Sequence, residues 1–276
     1  MPMQKSQLII KIAQIVETLP PMPQNIDRIL NTIRHNYVLN KNEIIHLTKE
    51  DPGLCADLLH IANESYDSFR NIDTIEDAVE NIGVQPLIQQ IGYCYARSTI
   101  REHFESLENL HQYFAHSRNI SKSCRIIAMV SNMKPHDQQI YATAGLIHDI
   151  GRLVVVLASN RFNASLLGTT AEKMSYIDHD EKKIMGLSHS QVGWRICRRW
   201  KFSPVLQEAV LRHHTPILND DFSFPGGMVF IAHFVSYSDF SGEILSKMLP
   251  AELLTNLNLT IKDFIEARKL ARTEPY

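Results

Sequence analysis

No stretch of this 276-residue chain reaches the roughly 18 consecutive apolar residues that a membrane-spanning helix requires. Its first residues, Met1-Pro2-Met3-Gln4-Lys5, lack the apolar core of a secretory signal. The four cysteines, Cys55, Cys94, Cys124 and Cys197, lie far apart and match no zinc or redox spacing, so free thiols in a reducing compartment are expected. Together these features predict a cytoplasmic protein with no membrane partner. Charge of one sign is also missing: the net charge is −2, which gives no general reason to expect nucleic acid as a partner. There is no P-loop, no Rossmann glycine pattern and no Ser-His-Asp arrangement. With 44% apolar and 21% charged residues, disorder is excluded and a folded globular chain is implied.

The apolar residues recur at helical spacing nearly everywhere. Leu8, Ile9, Ile12, Ile15 and Val16 predict a helix over 6–18, ended by Leu19-Pro20-Pro21-Met22-Pro23. Further helices are predicted around Ile26–Ile33, over 43–49, and from Asp51-Pro52, where Asp51 is a cap and Pro52 the first helical residue. Thr74-Ile75-Glu76-Asp77 has the form of a capping box, with Gly83 as the stop, and Pro86 opens another helix. After residue 110 a long helix runs to about Asn132, and a second is expected over 141–150. Leu153-Val154-Val155-Val156-Leu157 is β-branched, but with helices on both sides it reads as a buried helix. Ser188 and Ser203-Pro204 open two more helices, 220–227 is expected to be loop, and a final helix carries Val229, Phe230, His233 and Tyr237. The fold class expected is all-α, with a helical subdomain over 1–105 and a histidine-bearing core over 106–276.

Histidine is the residue in excess: there are 13. His116, His148, His189, His213 and His233 fall on the apolar stripes of separate helices or at their ends, and His214 adjoins His213. Each imidazole buried without a partner would cost about 1–3 kcal/mol, so the set must satisfy itself through ions, water or carboxylates. The carboxylate at hand is Asp149, within Ala144-Gly145-Leu146-Ile147-His148-Asp149-Ile150-Gly151-Arg152. Neighbouring helical side chains point about 100° apart, so His148 and Asp149 can reach one ion only where the helix breaks, and Gly151 is the expected left-handed stop. Ala142, Ala144 and Gly145 leave room for another backbone. A nitrogen-rich set with one carboxylate suits Fe, Mn or Zn better than Mg. Such an ion can activate water toward phosphorus.

The order His116, then His148-Asp149, resembles the HD superfamily of metal-dependent phosphohydrolases. Leu19–Pro23, Asp51–Leu59 with Ala62-Asn63, and Ala78–Gly83 are similar to the N-terminal signature of the HDOD (HD-related output) domain. Ser188–Gly193, Trp200 and Glu208-Ala209 through His213-His214 resemble its C-terminal half. The resemblance covers roughly 12–235. It implies an HD-like helical bundle with an additional N-terminal helical subdomain, and a role in bacterial signal transduction. It also implies metal ligation by His116, His148, Asp149, His189, His213 and His214, which match metal-binding positions of the related HD-GYP phosphodiesterases. His148 and Asp149 are the pair on which catalysis would depend. His233 stands where the superfamily has its last aspartate, and Thr215-Pro216-Ile217 follows His214 without the GYP segment.

Two functions follow as expectations. One is a regulatory HDOD protein with a partly retained metal site, acting on a signalling partner protein or a small phosphate-containing ligand. The other is a metal-dependent phosphohydrolase or phosphodiesterase acting on a nucleotide or another phosphate ester. Arg195, Arg198, Arg199 and Lys201 form a basic patch read as a solvated face.

Overall fold

The computed structural model describes residues 5–18, 41–49, 74–83, 110–159, 176–199, 202–219, 221–237, 249 and 251–273. They are overwhelmingly helical, with one small hairpin. The elements are α1 (Lys5–Thr18), α2 (Lys41–Lys49), α3 (Ile75–Ile82), α4 (Leu110–Val130), α5 (Pro135–Ile147), α6 (Ile150–Ser159), α7 (Ile177–Met185), α8 (His189–Arg199) and α9 (Pro204–Arg212). Then come β1 (Ile217–Leu218), β2 (Asp221–Phe222), α10 (Phe224–Ser236), α11 (Ala251–Asn256) and α12 (Ile261–Thr273). The helices expected around Ile26–Ile33, from Asp51-Pro52 and at Pro86 lie outside the described residues, as do Lys201 and Trp200. Among the described residues no helix is long and apolar enough to cross a membrane.

The chain forms two compact units, Pro20–Glu105 with Pro275–Tyr276, and Met1–Leu19 with Ser106–Glu274. The span 1–105 expected from the sequence is therefore divided, because α1 packs on α6, α7 and α8. It does so through Leu8, Ile12 and Val16, a buried stripe at helical spacing. In the smaller unit α2 packs on α3, burying Ile44 and Ile45 with Ile75, Ala78 and Val79. The capping box forms as expected: Thr74 Oγ1 accepts the Asp77 N–H at 3.0 Å. Gly83 ends α3 at φ +87° and ψ 159°, a conformation side chains rarely adopt.

In the larger unit α4 runs back along α5 across a short turn in which Asn132 takes φ +55° and Pro135 opens α5. The helix expected over 141–150 thus begins six residues earlier. Small residues bring the two backbones together, and a Cβ on Gly145 would lie 2.9 Å from the Ile120 carbonyl oxygen. Helix α10 is buried at every position from Pro225 to Val235, so it forms the centre of this unit, against α4, α5, α9 and α12. On the far side α12 buries Phe264 and Ala267, and its Ala271 carbonyl accepts from Lys122 Nζ at 2.9 Å.

Two local expectations are corrected. Of the segment 220–227 expected to be loop, Asp220 lies outside the described residues and the rest is strand and helix, joined at Ser223. β1 and β2 pair antiparallel, with Ile217 opposite Phe222, and α10 already begins at Phe224. Ser223 accepts the Gly226 N–H at 3.0 Å as the cap, and Pro225 fits the first turn. Arg212 holds the hairpin, donating to the Thr215 and Asp221 carbonyls at 3.0 and 2.8 Å. Gly151, in turn, is not a left-handed stop. It lies inside α6, and the chain turns at His148-Asp149 instead. Its lack of a side chain serves packing: a Cβ there would lie 2.0 Å from the His189 carbonyl oxygen. Leu153–Leu157 is helical, as expected.

Candidate metal centre

Seven side chains from five parts of the larger unit meet in its interior. His116 comes from α4, His148 and Asp149 from the turn between α5 and α6, and His189 from the first position of α8. His213 caps the C-terminus of α9, His214 follows it, and His233 lies in the last turn of α10. Every residue of the expected set is present. All are buried except His116, whose side chain retains 28% exposure.

The two helix ends use the same local device. His148 and His213 are the C-cap residues of α5 and α9, where carbonyls lack helical partners. His148 Nδ1 donates to the Gly145 carbonyl at 2.7 Å, and His213 Nδ1 donates to the Val210 carbonyl at 2.7 Å. His233 Nδ1 likewise donates to the Val229 carbonyl at 2.8 Å. A carbonyl can only accept, so each Nδ1 carries the proton and each Nε2 presents a lone pair. His189 Nδ1 faces the Glu181 carboxylate at 2.6 Å, and its Nε2 also points inward.

The inward atoms crowd around Asp149. Its Oδ1 lies 3.1 Å from His189 Nε2 and 3.4 Å from His213 Nε2. Its Oδ2 lies 3.3 Å from His148 Nε2 and 3.7 Å from His116 Nε2. His189 Nε2 is also 3.1 Å from His213 Nε2 and 3.2 Å from His214 Nε2. Asp149, His189, His213 and His214 thus form one group whose ligand atoms lie within 4.8 Å of one another, and His116, His148 and His233 form a second. His148 and His233 stack edge to face with ring centroids 4.8 Å apart, and His116 and His233 lie 5.3 Å apart.

This donor set fits a divalent transition metal. With bonds of about 2.1 Å, neighbouring ligand atoms sit about 3.0–3.4 Å apart, which is the spacing around Asp149 Oδ1. Nε2 of His148 and Nε2 of His233 are buried with no hydrogen-bond partner. Lone pairs left in that state are costly, and a cation removes the cost.

The electrostatics agree. Burial, then the neighbouring imidazoles, lower His116 to about 3, and burial lowers His213 to about 4. Burial holds His214 and His233 well below the ordinary range, so these rings are neutral, as ligands must be. His189 is the exception: burial would lower it, but Glu181 and Asp149 reverse this and raise the ring to about 9, so it must release its Nε2 proton to take an ion. Burial opposes ionisation of Asp149, yet the Arg152 guanidinium beside it holds its carboxyl well below the ordinary value. Arg152 Nε lies 2.9 Å from Asp149 Oδ1.

Sequence reasoning missed three residues here. Arg152 is buried beside Asp149, and Asp178 and Glu181 are buried on α7. The segment Ile177-Asp-His-Asp-Glu-Lys-Lys183 looks like a solvated charged helix, and Asp180, Lys182 and Lys183 are indeed exposed. The signal available was the three-residue spacing of Asp178 and Glu181, which places both on one face. Away from the cluster, Arg195, Arg198 and Arg199 are exposed, with Arg198 over the Trp194 ring at 4.9 Å.

A helical bundle that gathers a His-Asp turn and histidines from four further elements defines the class, and the sequence places the chain within it. The HDOD domain model matches residues 19–216, and the chain belongs to that family. His233 lies beyond the matched span. Curated proteins give no match. Among solved structures, a candidate phosphohydrolase from Shewanella amazonensis SB2B has a TM-score of 0.70 at 20% identity, over 94% of each chain. A candidate signal transduction protein from Marinobacter aquaeolei VT8 has a TM-score of 0.66 at 12% identity, and the match spans 97% of this chain and 63% of that one. A candidate metal-dependent phosphohydrolase from Shewanella amazonensis SB2B has a TM-score of 0.58 at 18% identity, over 97% of this chain and 98% of that one. At these identities the likeness is one of fold.

Proposed function

We propose that this HDOD protein is a signal-transduction module whose histidine cluster holds divalent transition-metal ions, Fe, Mn or Zn, on either side of Asp149. The observation that carries the metal reading is the convergence of imidazole Nε2 atoms on one carboxylate, with the opposite ring nitrogens of His148, His213 and His233 tied to backbone carbonyls. When bound, an ion supplies Lewis acidity toward a phosphate oxygen. Asp149, His189, His213 and His214 would hold one ion, and His116, His148 and His233 would hold another, sharing Asp149.

The charge of the set favours a regulatory role. It contains one carboxylate among seven residues, so divalent ions leave the cavity strongly positive. A phosphate-containing small molecule is the ligand whose charge fits, and a partner protein would sense the resulting state. The second reading, a metal-dependent phosphohydrolase, has one feature in its favour: partly exposed His116 gives its group a side toward solvent.

Metal content of the wild-type protein and of Asp149→Ala, purified without chelator, tests the proposal alongside turnover of generic phosphodiesters and nucleotides with Mn²⁺, Fe²⁺ or Zn²⁺. Metal in the wild type alone, without turnover, is the expected result. Metal-dependent turnover abolished by Asp149→Ala would make the chain a phosphohydrolase. No metal in either protein under any loading would reduce the histidines to core residues.

A further inference from the structure

His189 differs from the other inward-facing imidazoles in what holds it. Main-chain carbonyls hold His148, His213 and His233, whereas a buried carboxylate holds His189. Glu181 Oε2 accepts both the His189 Nδ1–H at 2.6 Å and the His189 backbone N–H at 2.7 Å. One oxygen therefore satisfies an unpaired amide at the start of α8 and orients the ring of the same residue.

We propose that Glu181 is a positioning residue of the cluster, fixing the His189 tautomer and strengthening His189 as a nitrogen donor to an ion shared with Asp149, His213 and His214. The inference rests on the metal reading above and adds a residue to it. A carboxylate behind a ligating imidazole raises its basicity more than a neutral carbonyl does. It also places a second negative charge one ring away from a site whose own carboxylate, Asp149, lies 2.9 Å from the Arg152 guanidinium.

The rest of α7 supports this role. The helix buries Asp178, Glu181 and Met185, and its other charged residues face outward. Asp178 accepts from Ser190 Oγ at 2.8 Å, so the two buried acids hold consecutive residues at the start of α8. An apolar pair would bury at lower cost than two carboxylates. Holding the orientation of His189 gives the acids a reason to be there.

The test uses the full chain and Co²⁺ as probe. Glu181→Gln keeps an acceptor oxygen and the side-chain shape but loses the charge. Ser188→Ala is the structural control. Ser188 Oγ accepts the Gln191 N–H at 3.3 Å, so its loss loosens the start of α8 without touching the charge on His189. Glu181→Gln should bind Co²⁺ about 10- to 100-fold more weakly, with a shifted visible absorption band. Its metal-free melting temperature should fall at neutral pH, because the buried His189–Glu181 ion pair is lost, and Ser188→Ala should keep the wild-type spectrum. In the metal-free protein the His189 Nδ1 proton should be strongly deshielded by nitrogen-edited NMR and should move upfield in Glu181→Gln. Unchanged affinity and spectrum in Glu181→Gln, or an equal loss in Ser188→Ala, would overturn the inference. If the wild type binds no Co²⁺, the metal reading fails by itself. The proton resonance then decides separately whether Glu181 holds the His189 Nδ1 proton, and no deshielded proton in wild type would overturn that as well.

Discussion

Gly151 and His189 meet backbone to backbone. A Cβ on Gly151 would sit 2.0 Å from the His189 carbonyl oxygen and 2.4 Å from the Gly193 nitrogen, so α6 and α8 touch where α6 follows the His148-Asp149 turn and α8 begins with His189. Gly151 lies two positions after Asp149, and His189 is itself a member of the set. The closeness of the two helices therefore sets the 3.1 Å distance from Asp149 Oδ1 to His189 Nε2.

Gly151→Ala must move backbone, because its nearest neighbours are main-chain atoms. A loss of about 1–3 kcal/mol or more is expected, together with weaker metal binding. Gly193→Ala should cost less, since the closest atom to its Cβ, at 2.7 Å, is a methyl group of Val210, a side chain that can shift. Thermal denaturation of the two variants checks the order. Equal or reversed losses would mean that α6 and α8 can separate without consequence.

The metal-free protein should be most stable near pH 6.5 and weaken on both sides. His116 and His213 titrate in the fold near 3 and 4 but at about 6.5 when unfolded. Between those values the unfolded chain binds protons that the folded chain refuses, so stability falls as pH falls from 6.5 toward 4. Asp149 and Glu181, whose carboxyls are held low, add a further loss below about pH 4. His189 works in the opposite direction. Its raised value of about 9 gives stability that is complete below 6.5 and lost as pH rises through 9. Melting temperatures of chelator-stripped protein between pH 4 and pH 9 test this, and a flat profile would contradict it.

Thr74→Ala probes the smaller unit. The Thr74 hydroxyl oxygen accepts the Asp77 amide, and the Thr74 hydroxyl donates to the Asp77 carboxylate at 2.7 Å. Removing the cap should cost about 1 kcal/mol, and Thr74→Ser should recover most of it. Denaturant titration of the three proteins measures both effects. Identical midpoints for all three would show that the cap carries no stability.

The helices were legible because their signals are local. Capping residues at Thr74 and Ser203 and the apolar stripe of α1 each specify an element within one or two turns of chain. The meeting of the seven side chains was also foreshadowed, since polar residues on apolar stripes must find partners when buried. What remained hidden depends on distant contacts. Gly151 has the sequence context of a helix stop, yet α8 packs against it and it serves as a point of close approach. Nothing in Lys5–Thr18 says that it packs on α6 rather than within the first hundred residues. Glu181 sits in a charged helix, and only the position of His189 shows that its carboxylate points inward. The hairpin after α9 is two residues per strand and is held by Arg212, too short to show a period of its own.

Asp149 divides the cluster by its two oxygens, and variants of its neighbours should separate the halves. Oδ1 faces His189 and His213 at 3.1 and 3.4 Å, and Oδ2 faces His148 and His116 at 3.3 and 3.7 Å. His116→Ala should release the ion on the Oδ2 side and leave the other in place, halving the metal content of a doubly loaded protein. The partly exposed His116 also predicts that this ion is the first one a chelator removes. His213→Ala should release the opposite ion. It should also cost about 1–3 kcal/mol in the metal-free state, because the Val210 carbonyl loses its buried donor. Metal analysis with chelator-release kinetics on both variants measures stoichiometry and order of release. Complete loss of metal in His116→Ala, or a single release phase in every protein, would show one indivisible site in place of two that share a carboxylate.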